Sequence, residues 1–247
     1  MRYFIELAYK GTNFHGWQIQ PNAISIQEII EQSLSTKFQE SISVTGAGRT
    51  DAGVHASFFV AHFETKKSFD VKKIIYGLNN LVGQDISVYK IYPVNERLHA
   101  RFDAISRTYE YRISKRKNPF LRELSTFFNK DLDIDLMNKG GEILLNYTDY
   151  TSFSKLHTDT KTNNCSVSQA FWEEKDELLI FTITADRFLR NMVRAIVGTL
   201  LDLGEHKINI TQFKKIIEIK DRTKAGKSAP AEGLFLTNIK YPSNPSY

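Results

Sequence analysis

The first 91 residues alternate between two hydrophobic periods, and the order of that alternation leaves few folds open. Residues 3–9 alternate as a strand does. Ser25 and Glu28 form a capping-box pattern, and Ile26, Ile29, Ile30, Leu34 and Phe38 then recur at helical spacing. Residues 42–47 read as a strand running into Gly46 and Gly48, and residues 58–64 as a second apolar run of strand length. Asp70 can cap a helix that carries Val71, Ile74, Ile75, Leu78 and Leu81 on one face. Residues 86–91 close the series as a strand. Strand, helix, strand, strand, helix, strand is the ferredoxin-like split βαβ order, an α+β arrangement. Residues 108–113 add one more strand.

The second half is also α+β. Residues 135–145 can form a helix despite Gly140 and Gly141. Residues 167–172 and 178–184 read as two strands around a polar turn at 173–177, hence a hairpin. Phe188, Met192, Val193, Ile196, Val197 and Leu200 mark a strongly apolar helix, residues 211–219 a shorter one, and residues 234–239 a last strand. No low-complexity linker separates the halves. The boundary falls between Ser114 and Pro119, at the basic run Lys115-Arg116-Lys117, giving halves of residues 1–114 and 115–247. That run fits a solvated turn as well as an RNA contact.

Several classes are disfavoured by composition. A net charge of +5 over 247 residues favours polyanionic partners, because phosphate contacts release counterions. The single cysteine, Cys165, can form no internal disulfide, and no Cys/His cluster has zinc spacing. Glu6 arrives too early for the apolar region of a signal peptide, and no apolar stretch approaches a membrane span. A soluble cytoplasmic protein is the expectation.

The segment from Gly46 to Ala56 lies between two expected strands and carries Arg49, Asp51 and His55 among glycines and small residues. Glycines let backbone approach a ligand closely, and polar residues on a loop carried by a sheet commonly do chemistry. Pattern alone leaves a glycine-rich turn with a structural ion pair equally open.

Gly48-Arg49-Thr50-Asp51-Ala52-Gly53-Val54-His55 resembles the signature of the TruA family of tRNA pseudouridine synthases. The resemblance extends in order along the chain. It takes in Tyr9-Lys10-Gly11-Thr12-Asn13-Phe14-His15-Gly16-Trp17-Gln18, the helix start Ser25-Ile26-Gln27-Glu28, then His99-Ala100-Arg101-Phe102 and Arg107-Thr108-Tyr109-Glu110-Tyr111. Phe188-Leu189-Arg190-Asn191-Met192-Val193-Arg194 is similar to the family's late helix, and Ala229-Pro230-Ala231-Glu232-Gly233-Leu234 to its ending.

The resemblance implies two ferredoxin-like α/β halves, each with an antiparallel sheet, flanking a central RNA-binding cleft and working as one catalytic unit: the pseudouridine synthase fold. It implies isomerisation of uridine at positions 38, 39 and 40 in the tRNA anticodon arm, by a homodimer that needs no metal, nucleotide or redox cofactor. Asp51 takes the role of nucleophile, acting on sugar or base or by way of a glycal. Arg194 takes that of the guanidinium that keeps Asp51 charged. Tyr109 would stack on the flipped base, and Tyr111, of the same strand parity, would support it. Arg49 would contact RNA or fill the space the base leaves, an ion pair with Asp51 being the competing reading. Leu98, His99, Ala100, Arg101 and Phe102 match a segment implicated in base flipping and RNA contact. There Arg101 suits phosphate and Phe102 suits stacking or core. The family's RNA-contacting loop corresponds to residues 154–161, with His157 and Lys161 as its candidate contacts. Asn164-Cys165 stands where many members carry an arginine. His55 fits a hydrogen-bonded structural histidine or a supporting residue.

Two other classes share some of these features. A non-catalytic RNA-binding module would suit the charge and element order, but the expected strands lack the RNP aromatic signature. A metal-dependent hydrolase on Asp51 and His55 lacks a second acidic cluster in the sequence.

Overall fold

The computed structural model describes residues 1–155 and 162–242. Among these the chain forms nine strands and five α-helices. Its contacts divide it into two units: Met1–Ile105 with the chain from Leu236 onward, and Ser106–Phe235.

The first unit runs β1 (Arg2–Tyr9), α1 (Ile26–Phe38), β2 (Thr45–Gly46), β3 (His55–Glu64), α2 (Val71–Asn79) and β4 (Ile86–Val94). Strand β1 lies between β3 and β4 and is antiparallel to both, with Ile5 opposite Ala61 on one side and Ile91 on the other. β2 adds to β3 through Thr45 opposite His62. Pro93 sits on β4, the end strand of the sheet, where a missing N–H breaks no ladder on the open side. Helix α1 starts where the sequence says it should: the Ser25 hydroxyl accepts the Glu28 N–H. It buries Ile26, Ile30, Leu34 and Phe38. Asp70 caps α2 in the same way.

β2 is much shorter than the strand expected over residues 42–47. Ile42 and Val44 are buried and alternate with exposed serines, as in a strand. Their polar backbone is instead taken by side chains of α1. Ser35 accepts the Ile42 N–H at 3.0 Å, Glu31 accepts the Val44 N–H at 2.8 Å, and Gln27 donates to the Val44 carbonyl at 3.0 Å. Buried backbone must be paired, and here a helix does what a neighbouring strand would.

The second unit contains β5 (Ser106–Ser114), β6 (Thr126–Phe127), α3 (Ile134–Leu144), β7 (Val167–Lys175), β8 (Leu178–Ala185), α4 (Met192–Gly204) and α5 (Ile210–Glu218). β8 lies between β5 and β7, antiparallel to each, and β6 runs parallel beside the end of β5. The β7–β8 turn is tighter than expected. Glu173, Glu174 and Lys175 all pair with β8, leaving Asp176, at φ 54°, to begin the reversal. A positive φ there matches the twist that two-residue hairpins need. Every residue of α4 except Arg194 and Asp202 is buried, as a helix enclosed on all sides must be. β9 (Leu234–Lys240) passes from the second unit into the first.

Candidate active site

The loop carrying Asp51 joins β2 to β3 in the first unit. The Val54 N–H closes a turn onto the Asp51 carbonyl at 3.1 Å, with Gly53 at φ 77°. A positive φ at that third position is what a type II turn requires. Below the loop lies the segment of residues 9–17. The Tyr9 and Thr50 hydroxyls are hydrogen-bonded at 2.9 Å within the core. The Trp17 N–H donates to the Thr50 carbonyl at 3.3 Å, and the Gly53 N–H to the Phe14 carbonyl at 3.2 Å. Trp17 stacks on Phe59 at 4.1 Å. Thr50, Val54 and His55 are buried, Asp51 is half-buried and Arg49 is exposed.

His55 settles into a structural part. It is 1% exposed, and its Nδ1 accepts the Gly11 N–H at 3.0 Å. It therefore ties the first loop to the base of the Asp51 loop. Tyr9, Trp17 and Thr50 were missed as site-building residues. The signal was available as the aromatic and glycine run at 9–17, but spacing alone does not say what such a run packs against.

In the second unit, Tyr109 lies on β5 opposite Ile183. Its half-buried ring meets Phe188 edge-on at 5.0 Å. Tyr111 is fully buried. Its hydroxyl shares a 2.6 Å hydrogen bond with Thr126 and lies 3.0 Å from the Pro230 carbonyl, to which it donates. Burial pushes the Tyr111 pKa up, so the donor proton stays in place. Arg194 stands in the first turn of α4. Its Nε donates to the Ala229 carbonyl at 2.6 Å, and the Ala229 N–H returns to the Arg194 carbonyl at 2.9 Å. The Ser228 hydroxyl accepts from Asn191 and from Arg222, each at 2.7 Å. The ending motif thus bonds to the strand of Tyr109 through Pro230 and to Arg194 through Ala229.

A Tyr111→Phe protein should lose about 1–2 kcal/mol of stability, the cost of stripping a buried hydroxyl from two partners. Urea denaturation measures this, and an unchanged midpoint would contradict the role given to that hydroxyl.

The segment 98–102 belongs to the first unit. Ala100 is fully buried, whereas Arg101 is exposed and Phe102 is 74% exposed, with the Arg101 guanidinium 5.5 Å from its ring centre. Phe102 is therefore not core. His157 and Lys161 lie outside the described residues. Cys165 is buried, and its thiol is pushed up to about 12 by that burial, so it stays protonated. Among the described residues no group of three His, Cys, Asp or Glu side chains is placed to hold a metal ion. Nor is any helix there long and apolar enough to cross a membrane.

Residues 7–103 and 147–242 match the family model described as tRNA pseudouridine synthase. Asp51 and the 98–102 segment fall in the first match, Arg194 in the second, and Tyr109 between them. The chain is 55% identical over 243 residues to the tRNA pseudouridine synthase A of Bacteroides fragilis, covering 98% of this chain and 96% of that protein. It is 51% identical over 242 residues to that of Parabacteroides distasonis, covering 98% and 96%. It is 38% identical over 239 residues to that of Clostridium acetobutylicum, covering 96% and 98%. The chain belongs to the tRNA pseudouridine synthase family and is an isomerase. Within that family it is of the TruA type.

Proposed function

We propose that this protein converts uridine to pseudouridine at positions 38, 39 and 40 of the tRNA anticodon arm, in the cytoplasm, as a homodimer and without a cofactor. The two α/β halves of the chain, residues 1–114 and 115–247, work together as one RNA-binding catalytic unit. The observation that carries the reading is the seat of Asp51. Its neighbour Thr50 is buried and bonded through both hydroxyl and carbonyl, while Asp51 itself stays half-buried. A nucleophile needs this combination of a fixed backbone and an accessible carboxylate.

The bond from the sugar C1′ to N1 breaks, and one from C1′ to C5 forms. C5 gives up a proton and N1 gains one, so the reaction is balanced without a redox partner. Asp51 is the nucleophile that promotes detachment. Arg194 is the cationic partner of that carboxylate, since a guanidinium does not deprotonate. It stands in the first turn of α4, with its Nε held on the Ala229 carbonyl. Tyr109 stacks on the flipped uracil, with its ring backed by Phe188. Exposed Arg49 contacts the RNA.

The test uses purified protein, unmodified tRNA transcript and a chelator, with pseudouridine mapped base by base. Product at positions 38–40 is expected. Binding without product would leave an RNA-binding module, and chelator-sensitive cleavage would leave a hydrolase.

A further inference from the structure

We propose that His62 and Tyr241 are positioning residues that clamp the Ala100 peptide from both ends and so present Arg101 and Phe102 to the RNA. This rests on the reading that the 98–102 segment touches RNA. The Ala100 N–H donates to His62 Nδ1 at 3.1 Å, and the Ala100 carbonyl accepts the Tyr241 hydroxyl at 2.6 Å. The next two N–H groups, of Arg101 and Phe102, both point at His99 Nδ1, at 3.1 and 3.3 Å. His99 is itself tied to Asp103, whose carboxylate accepts its N–H at 2.6 Å. Arg2 donates to the Leu98 carbonyl at 2.8 Å. Three successive amides are thus satisfied by two imidazoles.

The anchors stand on rigid parts of the first unit. Arg2 is on β1, His62 on β3, and Tyr241 directly follows β9. Fully buried Phe4 backs both clamps, with its ring centre 6.4 Å from that of His62 and 5.1 Å from that of Tyr241. The two imidazoles meet edge to face at 4.8 Å.

An imidazole nitrogen accepts only when it carries no proton. Burial first, then the Arg2 guanidinium and His99, hold His62 down to about 4, against a smaller opposing pull from Glu64. His99 is held down by burial and by Arg2 and Arg101, against Asp103. Both accept at neutral pH. The fold binds fewer protons at His62 than the unfolded chain does. Its contribution to stability is therefore whole above pH 6.5 and is lost as pH falls toward 4.

The clamp matters because ordering exposed side chains on binding costs affinity, and a pre-set backbone avoids part of that cost. The first experiment measures tRNA KM and kcat for the full chain. A protein with Arg101→Ala and Phe102→Ala together should show KM raised about tenfold or more. His62→Leu should raise KM by about tenfold with kcat changed less than about threefold. His62→Gln, which keeps an acceptor, should recover most of the loss. Tyr241→Phe removes one hydroxyl and should raise KM severalfold. It remains informative if His62→Leu fails to fold. In the background lacking both Arg101 and Phe102 side chains, His62→Leu should have no further effect.

A normal KM in both clamp variants, or a His62→Leu effect that persists undiminished in that background, overturns the proposal. If the Arg101/Phe102 variant binds tRNA normally, the RNA-contact reading fails instead. Hydrogen exchange at amides 100–102 then decides the clamp alone: it should speed up at least tenfold in Tyr241→Phe, and unchanged exchange would refute it.

Discussion

An Asp51→Asn protein is expected to fold, to bind tRNA and to make essentially no pseudouridine. The substitution preserves size and removes the charge. The turn and its bed are held through Thr50, Gly53 and Val54, so the loop keeps its shape. Most affinity for RNA comes from phosphate contacts, so binding and its salt dependence should survive. Turnover should fall by roughly four orders of magnitude or more, the scale on which removing a nucleophile acts in other enzymes. Base-resolved mapping after single-turnover incubation reads the result. Residual activity above about a thousandth of the starting rate would remove Asp51 from the chemistry.

Gly16→Ala should be nearly as damaging without touching a reacting group. Gly16 sits at φ 85°, and a Cβ there would overlap the Thr50 carbonyl oxygen. Left-handed backbone costs an ordinary residue roughly 1–2 kcal/mol. The overlap must also push Thr50 away and break the bond from Trp17. A loss of about 3 kcal/mol or more is expected in denaturant unfolding. If the fold survives, misplacement of Asp51 by about 1 Å should lower kcat about a hundredfold. Gly48→Ala is the contrast. A Cβ at Gly48 meets nothing within 4 Å, so stability should change by less than about 0.5 kcal/mol. Equal stability loss in the two variants would show that the bed beneath Thr50 is not what holds the loop.

The strong periodic signals in the sequence were those of the long elements. α4 announces itself by apolar residues all round, and α1 by its serine cap and helical spacing. What could not be read was which partner satisfies each backbone group. Residues 42–47 alternate as a strand does, and only the fold reveals Glu31 and Ser35 substituting for the missing ladder. Charged residues 173–175 looked like a turn because cross-strand partners are invisible in a linear chain. At the site, the Asp51 motif was legible as a local run of residues. Its bed was not, because Tyr9 and Thr50 meet across 41 positions. His62 looks like an ordinary polar residue in an apolar strand, and its partner Ala100 is 38 positions away. Phe102 could have been core by composition, and its exposure follows from Ala100 being the buried residue of that turn.

The Ala229–Pro230 dipeptide has a further consequence for accuracy. Tyr109 and Arg194 are separated by a long stretch of chain, and small errors of placement would ordinarily accumulate along it. Here the strand of one is bonded to Pro230 and the helix of the other to Ala229, two adjacent residues. Their mutual spacing is set by a ruler two residues long, so thermal drift in the hairpin and helices between them need not reach it.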